Sequence, residues 1–153
     1  MAKTDLTDKQ FWNFLGETVQ QGIRENSRAK GLDNKGNPFP EYSLKYKEFK
    51  QKKGLSTKPN LLLTGSMWQS FSVHNVKNNG CEVGWISKVE ATKAHSNANR
   101  GIKSRVVFDE KQYPKHVEVK ADKMIDDRFG KGIKNRLKKI FNKTHFKVEL
   151  PTK

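Results

Sequence analysis

The residues of this chain that could carry chemistry are its paired acids, its scattered histidines, one cysteine and two glycine-rich turns. Asp126-Asp127 is a carboxylate pair of the kind that can hold a divalent ion. Adjacent helical residues point about 100° apart, however, so these two pair more readily with Lys123 or Arg128 than with one metal. Asp109-Glu110 beside Lys111 is the best fragment of a nuclease site, which needs converging acids and a basic partner, and nothing else completes it. His74, His95, His116 and Cys81 form no CxxC or HxxxH pair and read as ordinary strand or loop residues. Asp33 to Asn37 begins like a calcium loop, but Pro38 and Leu44 stand where that loop needs Gly and Glu. Phe129-Gly130-Lys131-Gly132 lacks the third glycine of a phosphate-binding fingerprint. The expectation is a non-enzyme with no metal and no cofactor.

Charge is the louder signal. The 153 residues carry 31 Lys and Arg against 16 Asp and Glu, a net +15. A domain this basic repels its own copies, so a polyanionic neighbour is expected, nucleic acid first and an acidic protein second. Residues 122–143 alone hold eight basic residues and three Asp. On a helix, Lys131, Lys134 and Lys138 would share the side opposite the apolar stripe. Such a row would face the phosphate backbone of DNA, or serve as a solvated outer face. Aromatics are not interleaved with it, which argues against stacking on single strands.

These residues need elements to position them. One domain over 1–153 is expected, with an α+β fold: an N-terminal amphipathic helix and a C-terminal basic helix packed on a small, mainly antiparallel sheet with long loops. Thr7 and Gln10 form a capping box for a helix over 8–28, whose apolar face holds Phe11, Trp12, Leu15, Val19 and Ile23. Gly16 and Gly22 weaken it by up to ~1 kcal/mol each relative to Ala. Asn34-Lys35-Gly36 supplies a turn, Phe39 and Tyr42 are anchors, and Ser43 caps a short helix ending near Gly54. Thr64 is placed to cap a helix through Phe71. Asn78-Asn79-Gly80 joins a hairpin of 72–77 and 81–86, as Asn-Gly suits positions with positive φ. Residues 50–60 and 87–104 lack periodicity and are expected to be loops ordered by partners. Short strands are expected at 105–108, 117–119 and 144–150, and a helix over 122–141 with Ile125, Phe129, Ile133, Leu137 and Phe141 every four residues. The single Cys81 excludes an intrachain disulfide and fits a reducing cytoplasm. No run reaches the ~18 apolar residues of a membrane span, and the first residues lack the apolar core of a secretion signal.

Two segments have a more specific pattern. After the basic stretch Arg24 to Lys30 come Gly31-Leu32-Asp33, Lys35-Gly36-Asn37-Pro38-Phe39, Tyr42-Ser43 and Tyr46. The pattern resumes at Leu61, Leu63-Thr64-Gly65, Met67 and Ser70-Phe71, then Val83-Gly84. Over residues 24–86 the chain resembles the virion-morphogenesis family of phage tail-completion and head–tail joining proteins. His95 corresponds to a histidine frequent in that family's next loop, while its Arg, Pro and Phe run is reduced to Arg105-Val106-Val107-Phe108. The resemblance implies a structural protein of the head–tail connector or neck, made in the host cytoplasm and carried in the virion. It implies copies of itself in a ring, portal or connector and tail proteins as neighbours, and double-stranded DNA in the channel, with no membrane. Gly36, Phe39, Tyr42, Tyr46, Leu63, Thr64 and Gly65 would be its assembly motif. Helix 8–28 and hairpin 72–86 would be surfaces between subunits. The competing expectation is a free phage protein that binds nucleic acid without sequence preference.

Overall fold

A computed structural model describes residues 7–62, 64–107, 113–141 and 145–150. The architecture is α+β, with a four-stranded antiparallel sheet. Helix α1 (Asp8–Arg24) starts at the Thr7–Gln10 capping box and continues as a wider π turn over Glu25–Ala29. Helix α2 (Leu44–Lys52) is capped by the Ser43 hydroxyl, and α3 (Ser66–Ser70) runs directly into β1 (Phe71–Lys77). Strand β2 (Gly80–Trp85) leads to α4 (Lys88–Ala98), and α5 (Lys115–Phe129) precedes β3 (Lys138–Phe141) and β4 (His145–Glu149). The strand order is β1-β2-β4-β3, so β2 and β4 lie inside.

Helix α1 spends its whole apolar stripe on this body. Phe11, Trp12, Leu15, Val19 and Ile23 are buried against β1, β2 and α5. The two glycines that weaken it as an isolated helix mark its closest approaches: a Cβ on Gly16 would stand 2.6 Å from a Val73 methyl, and one on Gly22 2.6 Å from a Val117 methyl. Phe129 closes the far end, in edge contact with Phe11 and stacked at 5.7 Å on Trp12. Phe14 alone of the N-terminal aromatic trio faces outward, 54% exposed. The helix surface expected between subunits is therefore mostly core.

Several expected elements differ. The helix over 122–141 begins earlier and stops at Phe129, because Gly130 and Gly132 take φ of 92° and 91°, which a side chain disfavours. A 3₁₀ turn over Ile133–Arg136 and strand β3 follow. Ile125 and Leu137 still reach the core, with Phe129 and Ile133 packed against it, although the backbone between them is not one helix. The strand expected at 117–119 lies inside α5, where Val117, Ala121 and Ile125 are buried at i, i+4 spacing. Residues 105–107 form no strand, and Phe108 lies outside the described residues.

Residues 87–104, expected as a loop, form α4 and a 3₁₀ turn. The Ser87 hydroxyl accepts from the Glu90 amide, and Ala94 and Ala98 supply a narrow buried face. The hairpin stands, but neither Asn78 nor Asn79 has positive φ. Asn75, at an irregularity in β1, has φ of 49° instead. Gly80 is needed for space, since a Cβ there would collide with the Val148 carbonyl of β4.

Candidate functional site: a joint and the cleft beside it

Segments 31–46 and 61–71 meet. Asp33 folds the first on itself, its Oδ1 accepting the amides of Lys35 and Asn37 at 2.8 Å each. That is an Asx turn, and it occupies the carboxylate that a calcium loop would need. Gly36 sits at its tip with φ of 86°, and Phe39 is buried. Gly31 (φ 70°) lets the loop lie against the second segment, for a Cβ there would stand 2.6 Å from the Pro59 carbonyl oxygen. The Leu61 amide, itself at φ 57°, donates to the Tyr42 hydroxyl at 3.1 Å.

Asn60 is the hub of this joint. Its Oδ1 accepts from the Leu62 amide at 3.0 Å and from Lys50 Nζ at 3.2 Å, and its carbonyl accepts from the Trp68 indole at 3.1 Å. Lys50 is 0% exposed, and no carboxylate pairs with it among the described residues. Burial holds its ammonium below the usual lysine range. Its Nζ lies 4.9 Å from the centre of the Tyr42 ring, and the Arg105 guanidinium lies 4.7 Å from the same ring. Residues 50–60 are thus the end of α2 and a return tied to the body by Lys50 and Asn60. Nothing in the basic composition of that stretch distinguishes Lys50 from its solvated neighbours. Its position one turn beyond Tyr46 on α2 is the only sequence signal.

Beside the joint lies a cleft of about 630 Å³. One wall is Tyr42, Ser43 and Tyr46, and the floor includes Leu61 and Met67. The opposite wall is formed by α4 and the chain after it, with Glu90, Lys93, Arg100 and Arg105. Arg105 is 4% exposed, and its guanidinium donates to the carbonyls of Pro40 at 2.7 Å and Glu41 at 3.3 Å. Burial, its largest influence, lowers its pKa, and nearby Arg100 adds to that. Glu90 is 8% exposed, and its Oε1 accepts from Lys93 at 2.8 Å and from the Ser66 hydroxyl at 3.1 Å. Arg105 Nε and Glu90 Oε2 are buried without a hydrogen-bond partner among the described residues.

Of the expected motif, Tyr42, Tyr46, Thr64 and Gly65 line this cleft. Gly36 and Phe39 belong to the loop behind it, and Leu63 lies outside the described residues. Thr64 is one residue from its expected role. Gly65 (φ 84°) occupies the N-cap of α3, and the Thr64 hydroxyl meets that of Ser66 at 2.9 Å. Lys131, Lys134 and Lys138 form no row on one helix: they fall on a turn, a 3₁₀ turn and the start of β3. Arg128 binds Asp8 of α1 at 3.1 Å.

Asp109, Glu110 and Lys111 lie outside the described residues. His74 faces Glu82 at 3.3 Å, and no group of three His, Cys, Asp or Glu converges among the described residues. Cys81 is buried and its thiol is pushed up to about 12, so it is a packing residue rather than a nucleophile. No described helix is long and apolar enough to cross a membrane. Compared with protein-family models, with curated proteins and with solved structures, the chain matches none.

Proposed function

We propose that this chain is a structural component of a phage virion at the head–tail junction. It would assemble as a ring around the DNA channel, between portal or connector and tail proteins, without enzymatic activity. The observation that carries this reading is the joint. The Leu61 amide bound to the Tyr42 hydroxyl ties together the two segments on which the family resemblance rests, and Asn60 beside it holds Lys50 and Trp68. Their polar groups are engaged in hydrogen bonds that brace the loop. The net +15 supports it too, because assembling several copies multiplies that charge and calls for a polyanion in the lumen or acidic ring neighbours.

Mass spectrometry of purified virions, with electron microscopy of particles made without the protein, tests the assignment. The protein should be found in the virion, and its loss should leave heads and tails unjoined or unfinished. Normal tailed particles in its absence would end this reading. The second reading, a free phage protein that binds nucleic acid non-specifically, rests on the +15 alone. It expects the protein in infected cells and not in virions.

A further inference from the structure

We infer that the cleft between α2 and α4 is a docking site for a short acidic peptide segment of a neighbouring protein, with an apolar side chain beside its carboxylate. The charge balance points there first. Of the two acids on the walls, Glu41 is paired with Lys47 at 2.6 Å and Glu90 with Lys93 at 2.8 Å. Arg100 and Lys103 are exposed and make no ion pair among the described residues. Arg105 meets backbone carbonyls through its Nη2 group, and the nearby Glu41 carboxylate offsets part of its charge. Arg100 and Lys103 therefore face the recess without an ion-pair partner among the described residues, an arrangement that favours an anion.

The apolar part of the lining chooses between anions. A peptide brings an aliphatic side chain beside its carboxylate, and a phosphodiester backbone brings none. Leu61, Met67 and the Tyr46 ring give an apolar side chain somewhere to lie. That the neighbour is a virion protein rests on the function proposed above; the chemistry of the cleft does not.

The test is a titration of the isotopically labelled full chain, followed by amide resonances. The probes are an acetylated hexapeptide alternating glutamate and leucine, its lysine–leucine counterpart and a thymidine hexanucleotide. The acidic peptide should shift the amides of Ser43, Gly65, Ser66 and Asn97, and the other two should not. Arg100→Glu with Lys103→Glu replaces two exposed cations that would donate charge-assisted hydrogen bonds, and should weaken that peptide by about tenfold or more. Lys9→Glu with Lys123→Glu changes net charge equally away from the cleft, and should change affinity less than about twofold. If the reversed pair does not fold, Arg100→Gln with Lys103→Gln gives the same comparison. Equal weakening by both pairs, no shift at the cleft, or stronger shifts there with the hexanucleotide would each overturn the proposal. A virion lacking this protein would not alter these shifts, so the two readings fail separately.

Discussion

Tyr42 shows how one side chain joins distant stretches of chain. Its hydroxyl holds the Leu61 amide while its ring lies beside Lys50 and Arg105. Tyr42→Phe keeps the ring and loses the acceptor, so it should cost about 1 kcal/mol, read as a lower urea midpoint at unchanged slope. Lys50 makes a pH-dependent prediction. Its native pKa is lowered by burial from 10.5, so the unfolded chain holds that proton to higher pH than the native one. Stability then rises with pH between the lowered native value and 10.5. Lys50→Met lacks this dependence. The stability of the natural protein relative to that variant should therefore grow as pH climbs from neutrality into this window, in paired urea titrations. Sequence alone shows neither role. Tyr42 could be read as an anchor, but Lys50 sits in a run of basic residues and only its burial sets it apart.

At the scale of elements, caps were legible and continuations were not. Thr7 with Gln10, and Ser43, start α1 and α2 where their side chains say they should, because capping is satisfied within a few residues. Helix α4 is harder to read, since its buried face is only Glu90, Ala94 and Ala98 and gives almost no hydrophobic periodicity. The stripe from Ile125 to Phe141 misleads in the opposite way: its four-residue period continues across Gly130 and Gly132, which stop the helix. Gly16 separates local from tertiary cost. Gly16→Ala favours an isolated helix by up to ~1 kcal/mol, yet its methyl would overlap the stiff, branched Val73. We expect net destabilisation of about 1–3 kcal/mol in thermal or urea unfolding, the range for overpacked cores. A net gain would show that α1 can lift from β1 at little cost.

For the whole molecule, the question is whether +15 is a patterned surface or a diffuse one. Because Lys131, Lys134 and Lys138 share no helix, reversing all three to Glu should weaken duplex DNA binding no more than reversing Lys9, Lys52 and Lys123. Both sets should lower the salt slope alike, by about 0.9 for each phosphate no longer neutralised. A selective loss from the first set in a filter-binding or anisotropy titration would restore a directed DNA face. Among the described residues, apolar exposure is spread along the chain: Phe14 on α1, Leu44 and Phe49 on α2, Ile86 after β2, Val89 on α4, Ile102 in the 3₁₀ turn and Val119 on α5. Hairpin 72–86 contributes only Ile86 to that group, next to the end of β2.

The sequence by itself determined what depends on neighbours in the chain. The starts of α1 and α2, the turn at Asn34-Lys35-Gly36, the hairpin expected over 72–86 and found over 71–85, the closing strand and the α+β class follow from caps, turn residues and alternation. Charge and composition are likewise complete without a fold. Tertiary structure alone decided that Gly16 and Gly80 are points of close approach, that Lys50 is buried, and that Arg105 and Glu90 are buried in the walls of one recess. The reason is physical: burial and pairing depend on what lies across the gap, and residues 42, 61, 90 and 105 come together only when the chain closes around Asn60 and Trp68.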